Sequence, residues 1–435
     1  MNGIGIVVSV IACAMLLGLP RRWGALPFIF GASFIAFGQD LPIGPLHFSI
    51  TRLLVVLSVI LAVSRKEHIA GGFNPLDRFM VCWGIWAALS SFFHQSGVVI
   101  TRLGEICDDL GVYFIFRTLI REEADLIRIF KIICVVLIPI AILMLMEKKT
   151  GTNYFSLIYG GPGAVYRHGH FRARGPYAHA ILSGTIGAVC FPMALYLWRQ
   201  DRLIAVLGMA ASMGIVFAAG SSGPICALMV IILALVLWVA RNHTRLMRWA
   251  LVMTLFALNF IMKDPVYYLV ARIDLTGGST GWFRAALIDG AIRHLGQWWL
   301  MGTDYTRDWM PTGVYWNTSN TDITDHFILM GVWGGLPLMF LFIGVVYAGF
   351  AGVGRVFKED DDKHRQFLAW TLGAILLGHT INFLSVSYYG QSVMFLYILF
   401  AAIGSLSSIT QTALAQAEEE PVDSPPEQEP VASPT

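Results

Sequence analysis

The stretch FRARGPYAHAILSG, residues 171–184, sets Arg172, Arg174 and His179 directly ahead of a long apolar run. A guanidinium keeps its charge at any ordinary pH, and its planar fork of N–H donors matches the oxygens of a phosphate. Such groups at the edge of an apolar phase are costly unless an anion compensates them. The segment 264–323 adds Arg272, Arg284, Arg293 and Arg307, interleaved with Asp274, Asp289, Asp304 and Asp308. TDITDHFILMGVWGG, residues 321–335, then places Asp322, Asp325 and His326 at the start of another apolar run. These residue types point to anion binding at a boundary between polar and apolar surroundings.

The composition says what supplies that boundary. Of the 435 residues 56% are hydrophobic and 13% charged, against about 25% charged in ordinary soluble domains. A bilayer core about 30 Å thick takes roughly 20 apolar residues per helix. Apolar runs occur at 3–19, 24–38, 51–64, 76–95, 98–119, 127–147, 180–198, 203–219, 222–240, 247–263, 324–351, 366–388 and 391–409. The expected fold class is all-α, a polytopic membrane bundle of about 12–13 transmembrane helices. A membrane barrel would alternate apolar and polar residues, whereas these runs are continuous. The first run has neither a basic n-region nor a small-residue cleavage pattern, so it reads as a retained helix. Cys13, Cys82, Cys107, Cys134, Cys190 and Cys226 lie in or beside apolar runs without a C-x-x-C pair. They read as small hydrophobes rather than disulfides or metal ligands.

Lysine and arginine gather in alternate loops, at 21–22, 64–68, 117–131, 198–202, 241–248 and 355–365. Placing these loops in the cytoplasm leaves the two long loops, 148–179 and 264–323, on the periplasmic side and the C-terminal tail in the cytoplasm, with Lys148 and Lys149 the exceptions to the rule. The membrane domain then covers 1–412. The remaining 413–435 ends in AEEEPVDSPPEQEPVASPT, with six acids, five prolines and no basic residue, a composition expected to stay disordered. Within the second long loop, Phe283, Leu287, Ile288 and Ile292 recur at helical spacing and predict a short interfacial helix. Trp282, Trp298, Trp299, Trp309 and Trp316 suit the headgroup layer or the stacking of sugars. Neither a P-loop nor a dinucleotide-binding glycine pattern occurs, which disfavours an ATP-driven pump within this chain. No nucleic-acid partner is expected.

In order along the chain, FRARGPYAHAILSG, GSSGP (220–224), GWFRAALIDGA (281–291), GTDY (302–305) and TDITDHFILMGVWGGLPLMF (321–340) resemble the landmarks of the O-antigen ligase and Wzy-type polymerase superfamily. These are membrane glycosyltransferases of the GT-C class, and the resemblance covers roughly residues 100–405. It implies that the R-x-x-G pattern falls on Arg172 and Gly175, with Arg174 an additional neighbour. The arginine of the large outer loop falls on Arg284, with Arg272 the alternative. The histidine opening the next span falls on His326, followed by Gly331 and the pair Gly334–Gly335. Where many members carry Ser-Arg-Gly or His-Asn, this chain has Ser221-Ser222-Gly223 and His326-Phe327; both departures lean towards a polymerase rather than a ligase.

The chemistry implied by the resemblance is transfer of a saccharide from a polyprenyl diphosphate to an acceptor hydroxyl of a glycan or lipid. The setting would be the periplasmic face of a bacterial inner membrane, during exopolysaccharide or O-antigen (lipopolysaccharide) synthesis. Arg172 and Arg284, with Arg174, would hold the departing diphosphate. His326 would be the general base, oriented or raised in pKa by Asp322 or Asp325, with His179 also in the substrate site. No cofactor and no metal is expected. The acidic cluster Glu105, Asp108 and Asp109 sits on a helix, where adjacent carboxylates face different ways, and is expected to orient an arginine or the acceptor. Two other classes fit the same cations: a lipid-linked glycan flippase or transporter, which would place them near the bilayer midplane, and a non-catalytic subunit among other polysaccharide assembly proteins.

Overall fold

A computed structural model of the chain describes residues 1–44, 46–167, 169–272, 275, 281–310 and 319–419. Asp274, Trp316 and the tail from 420 onward lie outside the described residues. The first helices are α1 (Gly3–Gly18), α2 (Ala25–Phe34), α3 (Ile50–Ser64), α4 (Pro75–Ser91), α5 (Ser96–Leu119), α6 (Glu123–Thr150) and the short α7 (Tyr154–Tyr159). A hairpin of β1 (Leu41–Ile43) and β2 (Leu46–Phe48) joins α2 to α3, and a second, β3 (Val165–Arg167) and β4 (His170–Arg172), leads into α8 (Ala180–Tyr196). There follow α9 (Arg202–Ala219), α10 (Ser222–Val236), α11 (Thr244–Ile261), α12 (Leu269–Arg272), α13 (Gly281–Arg293), α14 (Leu295–Trp298), α15 (His326–Glu359), α16 (Lys363–Phe383) and α17 (Gln391–Glu419).

Every apolar run in the sequence overlaps a helix, although the run 366–388 outlasts α16, which ends at Phe383. Six of the described helical segments are both long and apolar enough to cross a membrane. The helices α1 and α3 are apolar but shorter, and α2 stops at Phe34 where the run continues to residue 38. The two runs at 222–240 and 247–263 form one helical course, Ser222–Ile261, interrupted at Ala240, and α11 buries none of its side chains. The last helix passes the boundary expected at 412 and continues to Glu419.

Helix α17 is the central post. Its residues from Met394 to Ile403 are all buried, as an apolar helix without a polar face requires, and α5, α15 and α16 pack around it. At the end away from the two hairpins, Asp77 and Arg117 are fully buried and paired at 2.9 Å, with Arg117 also donating to Ser405 on α17. Tyr113 donates its hydroxyl to the same carboxylate at 2.6 Å. Breaking such a pair from one side leaves an uncompensated buried charge, which costs about 3–5 kcal/mol. Many outward-facing side chains are large and apolar, including Val63, Val239 and Ile261, each more than 70% exposed.

Helix α15 breaks after its second turn. Gly334 and Gly335 leave helical geometry, with φ +74° at Gly335, and Pro337 follows. The break frees carbonyls: Gly334 accepts from Trp86 Nε1 at 2.8 Å, and Trp333 accepts from Arg102 Nη1 at 3.0 Å. Residues 299–303 run alongside as a strap, with Leu336 N–H donating to Trp299 O and Thr303 N–H to Val332 O. The predicted helix in the second long loop is α13. Its apolar face turns onto protein, where Phe283 and Leu287 form a small core with Trp298, Trp309, Ile328 and Val332. Trp298 and Trp309 are therefore packing residues, removed from any sugar, while Trp282 and Trp299 remain about half exposed.

Candidate functional site

Glu147, in the last turn of α6, organises the first arginine segment. Its carboxylate accepts the backbone N–H of Arg174 at 3.1 Å and of Gly175 at 2.9 Å, and Nδ2 of Asn153 at 3.0 Å. Two successive N–H groups can converge on one anion because Gly175 has φ +57°, a conformation that costs glycine little. The adjoining Ala173 N–H donates to Ala218 O at the end of α9. Gly220, at φ +53°, then terminates that helix and leaves the Ala219 carbonyl open to Arg172 Nε at 3.3 Å. Arg172 Nη2 donates to Ser221 Oγ at 3.0 Å. Sequence reasoning missed Glu147; its signal was an acid at the very end of an apolar run.

Arg284 arrives from α13. It is buried, and its Nε donates to the Ser385 carbonyl between α16 and α17 at 3.2 Å. Arg172, Arg284, Arg167 and Arg102 line one cavity of about 700 Å³, together with His179, Glu105, Asp304 and Asp322. Burial, then the charges of Arg167 and Arg284, hold the Arg172 guanidinium below its ordinary pKa. Burial lowers Arg284 as well. Guanidinium starts so basic that both remain cations, and mutual repulsion of this kind is relieved by an anion between them.

His179 caps α8, its Nδ1 accepting Ile181 N–H at 3.1 Å. Burial and the neighbouring Arg172, Arg174 and Arg167 push its pKa down to about 4. The ring is thus neutral at pH 7 with its proton on Nε2, a donor rather than an additional charge. Asp322 has its pKa raised by burial.

Four expected positions are corrected. Arg174 does not line the cavity: its Nη2 donates to Ser156 Oγ at 3.2 Å and its backbone is held by Glu147. Arg272 is exposed at the end of α12 and is likewise absent from the cavity wall, so the outer-loop arginine of the site is Arg284. Asp325 does not orient His326; it caps α15, accepting Ile328 N–H at 3.0 Å, because an acid at this position satisfies the open donors of the first turn. His326 is buried among Phe342, Phe383 and Tyr388, with ring centroids 5.0–5.4 Å away. Its Nδ1 accepts the backbone N–H of Tyr388 at 3.2 Å. The neutral ring then carries its proton on Nε2, so His326 offers an N–H and not the lone pair a general base needs.

His326 also faces a different space. A second cavity of about 370 Å³ is lined by His326 with Asp40, His47, Arg52 and the acidic cluster of α5. Arg52 grips Asp108 through Nε and Nη2 at 3.0 and 2.8 Å, as expected for an acid that orients an arginine. Thr101, Glu105, Trp333, Tyr388 and Tyr389 belong to the walls of both cavities. Beneath them His379 Nδ1 meets the Tyr388 hydroxyl at 2.9 Å, and Asn382 bonds Thr185, linking α16 to α8. Among the described residues, no three His, Cys, Asp or Glu side chains gather as a metal-binding group. Compared with protein-family models and with curated proteins, the chain matches none.

Proposed function

We propose that this chain is a multi-pass membrane glycosyltransferase of the O-antigen ligase and polymerase type. It moves a saccharide from a polyprenyl diphosphate to an acceptor hydroxyl on the periplasmic face of a bacterial inner membrane, as a polymerase of surface polysaccharide. The observation that carries the reading is the convergence of Arg172 and Arg284, from two loops far apart in the chain, on one cavity of about 700 Å³. That volume suits a diphosphate with its first sugars. Six segments of membrane-crossing length and apolar outward faces support a location within the bilayer.

The chemical logic is electrostatic. As the bond between the sugar and the diphosphate breaks, negative charge accumulates on the leaving oxygens. Guanidinium groups already fixed by Ser221, Ala219 and Ser385 meet that charge without reorganising. Neutral His179 adds an N–H donor without adding to the repulsion among the arginines.

The test uses full-length protein in lipid nanodiscs, given the lipid-linked saccharides extracted from the source cell's membranes, with and without a lipid A core acceptor. A ladder formed without added acceptor is the expected result; a single capped product requiring lipid A core shifts the assignment to a ligase. Arg172→Ala and Arg284→Ala should each lower kcat on the order of 10²- to 10³-fold. Tight binding of the lipid-linked saccharide with no product in either arm would overturn the enzymatic reading in favour of a transporter.

A further inference from the structure

The mechanism above leaves the acceptor unplaced and, with His326 presenting an N–H, leaves its proton without a destination. The second cavity addresses both. It is separate from the arginine cavity yet shares a wall with it, and its lining is unlike the first: Asp40, His47 and the carboxylates of α5 stand where the first cavity has several arginines, and its arginine, Arg52, is already paired with Asp108. Carboxylates and aromatic rings are the groups that bind the hydroxyls and faces of an uncharged sugar.

The acids around the two cavities are not equivalent. Asp108 is held by both arms of the Arg52 fork. Asp109 lies beside Tyr397 and does not line the arginine cavity. Asp304 accepts His94 Nδ1 at 2.6 Å and Gln95 N–H at 2.9 Å. Glu105 accepts no hydrogen bond among the described residues, and it is the single carboxylate common to both walls. Asp322 lines only the arginine cavity. An acceptor hydroxyl that reaches the sugar held over Arg172 and Arg284 from the second cavity must pass the shared wall, where Glu105 stands.

We propose that the second cavity seats the acceptor saccharide and that Glu105 is the general base that takes the proton of its attacking hydroxyl. This rests on the glycosyltransferase reading above. In the step, the acceptor O–H bond breaks and its proton passes to the Glu105 carboxylate. The acceptor oxygen forms a bond to the anomeric carbon, and the bond from that carbon to the diphosphate breaks. The electron pair leaves with the diphosphate, where Arg172 and Arg284 meet it. The negative charge lost at Glu105 appears on the leaving group, and Glu105 returns its proton to water through the cavity.

The experiment takes the full chain in nanodiscs, with the extracted lipid-linked saccharide as donor and the free saccharide released from that fraction as acceptor; undecaprenyl diphosphate is the binding probe. Glu105→Gln, which keeps size and polarity, should lower kcat at least about 100-fold while undecaprenyl diphosphate binds within threefold of wild type. The wild-type rate should fall on the acid side of its pH profile, and the residual Glu105→Gln rate should lack that limb. Glu105→Asp should recover part of the rate. His47→Ala, on the second cavity alone, should raise the acceptor KM about tenfold and leave the donor KM in place.

The proposal is overturned if Glu105→Gln retains a tenth or more of wild-type kcat, if its residual rate keeps the acid limb, or if Asp322→Asn abolishes transfer while Glu105→Gln does not. It is equally overturned if His47→Ala moves the donor KM instead. Wild-type protein that binds undecaprenyl diphosphate but forms no product defeats the glycosyltransferase reading itself, and this proposal with it; active wild-type protein with an indifferent Glu105 defeats the proposal alone.

Discussion

A single backbone hydrogen bond, Tyr388 N–H to His326 Nδ1, determines what His326 can contribute. It occupies the lone pair on one ring nitrogen and so assigns the proton to the other, and the surrounding Phe342, Phe383 and Tyr388 rings hold the imidazole in that orientation. A glutamine can reproduce both roles, accepting through its carbonyl and donating through its amide. His326→Gln should therefore retain activity within about tenfold of wild type, with an unaltered pH profile, whereas a true general base would lose on the order of 10²- to 10⁴-fold. Steady-state rates of His326→Gln and His326→Ala across pH decide this, and a Gln variant as inactive as the Ala variant would restore His326 as the base. The histidine was visible in the sequence as a titratable group opening a span. Its role was not, because the bond that sets the tautomer comes from a residue on a different element.

The break in α15 shows how an element can be read yet its consequence missed. Gly334–Gly335 is evident as a flexible pair, but its work is to free the Trp333 and Gly334 carbonyls for Arg102, Trp86 and the strap at 299–303. A methyl group on Gly335 would stand 2.2 Å from the Leu300 carbonyl oxygen, at φ +74°. Gly335→Ala should destabilise the protein by at least about 2 kcal/mol, from backbone strain and the backbone collision together. The check is thermal unfolding in detergent; a Gly335→Ala melting curve that overlays the wild type would mean the strap yields freely. Elements α5, α8, α15 and α17 were legible from the length and continuity of their apolar runs. Helical spacing predicted α13 but not the protein surface that covers its apolar face, since a helix's pattern states that a face is buried and not by what.

At the scale of the whole molecule, the lysine and arginine pattern and the three-dimensional arrangement make one joint prediction. The hairpin β3–β4 belongs to the end carrying both cavities, and the loop after α15, with Asp361, belongs to the basic, opposite end. A cysteine at position 163 should react with a membrane-impermeant maleimide in intact cells, and one at Asp361 only after permeabilisation, each in a cysteine-free background. The reverse labelling pattern would place the cavities in the cytoplasm and remove the periplasmic assignment. The sequence by itself determined the helical class, the positions of the apolar runs and the two arginine-bearing loops, because burial in an apolar phase imposes length and composition locally. Only the tertiary structure decided that Arg172 and Arg284 share a cavity while Arg174 and Arg272 do not, and that Glu105 stands between two cavities. Each of those facts depends on where distant segments meet, and a hydrogen bond or a shared wall between residues hundreds of positions apart leaves no trace in the spacing of either one.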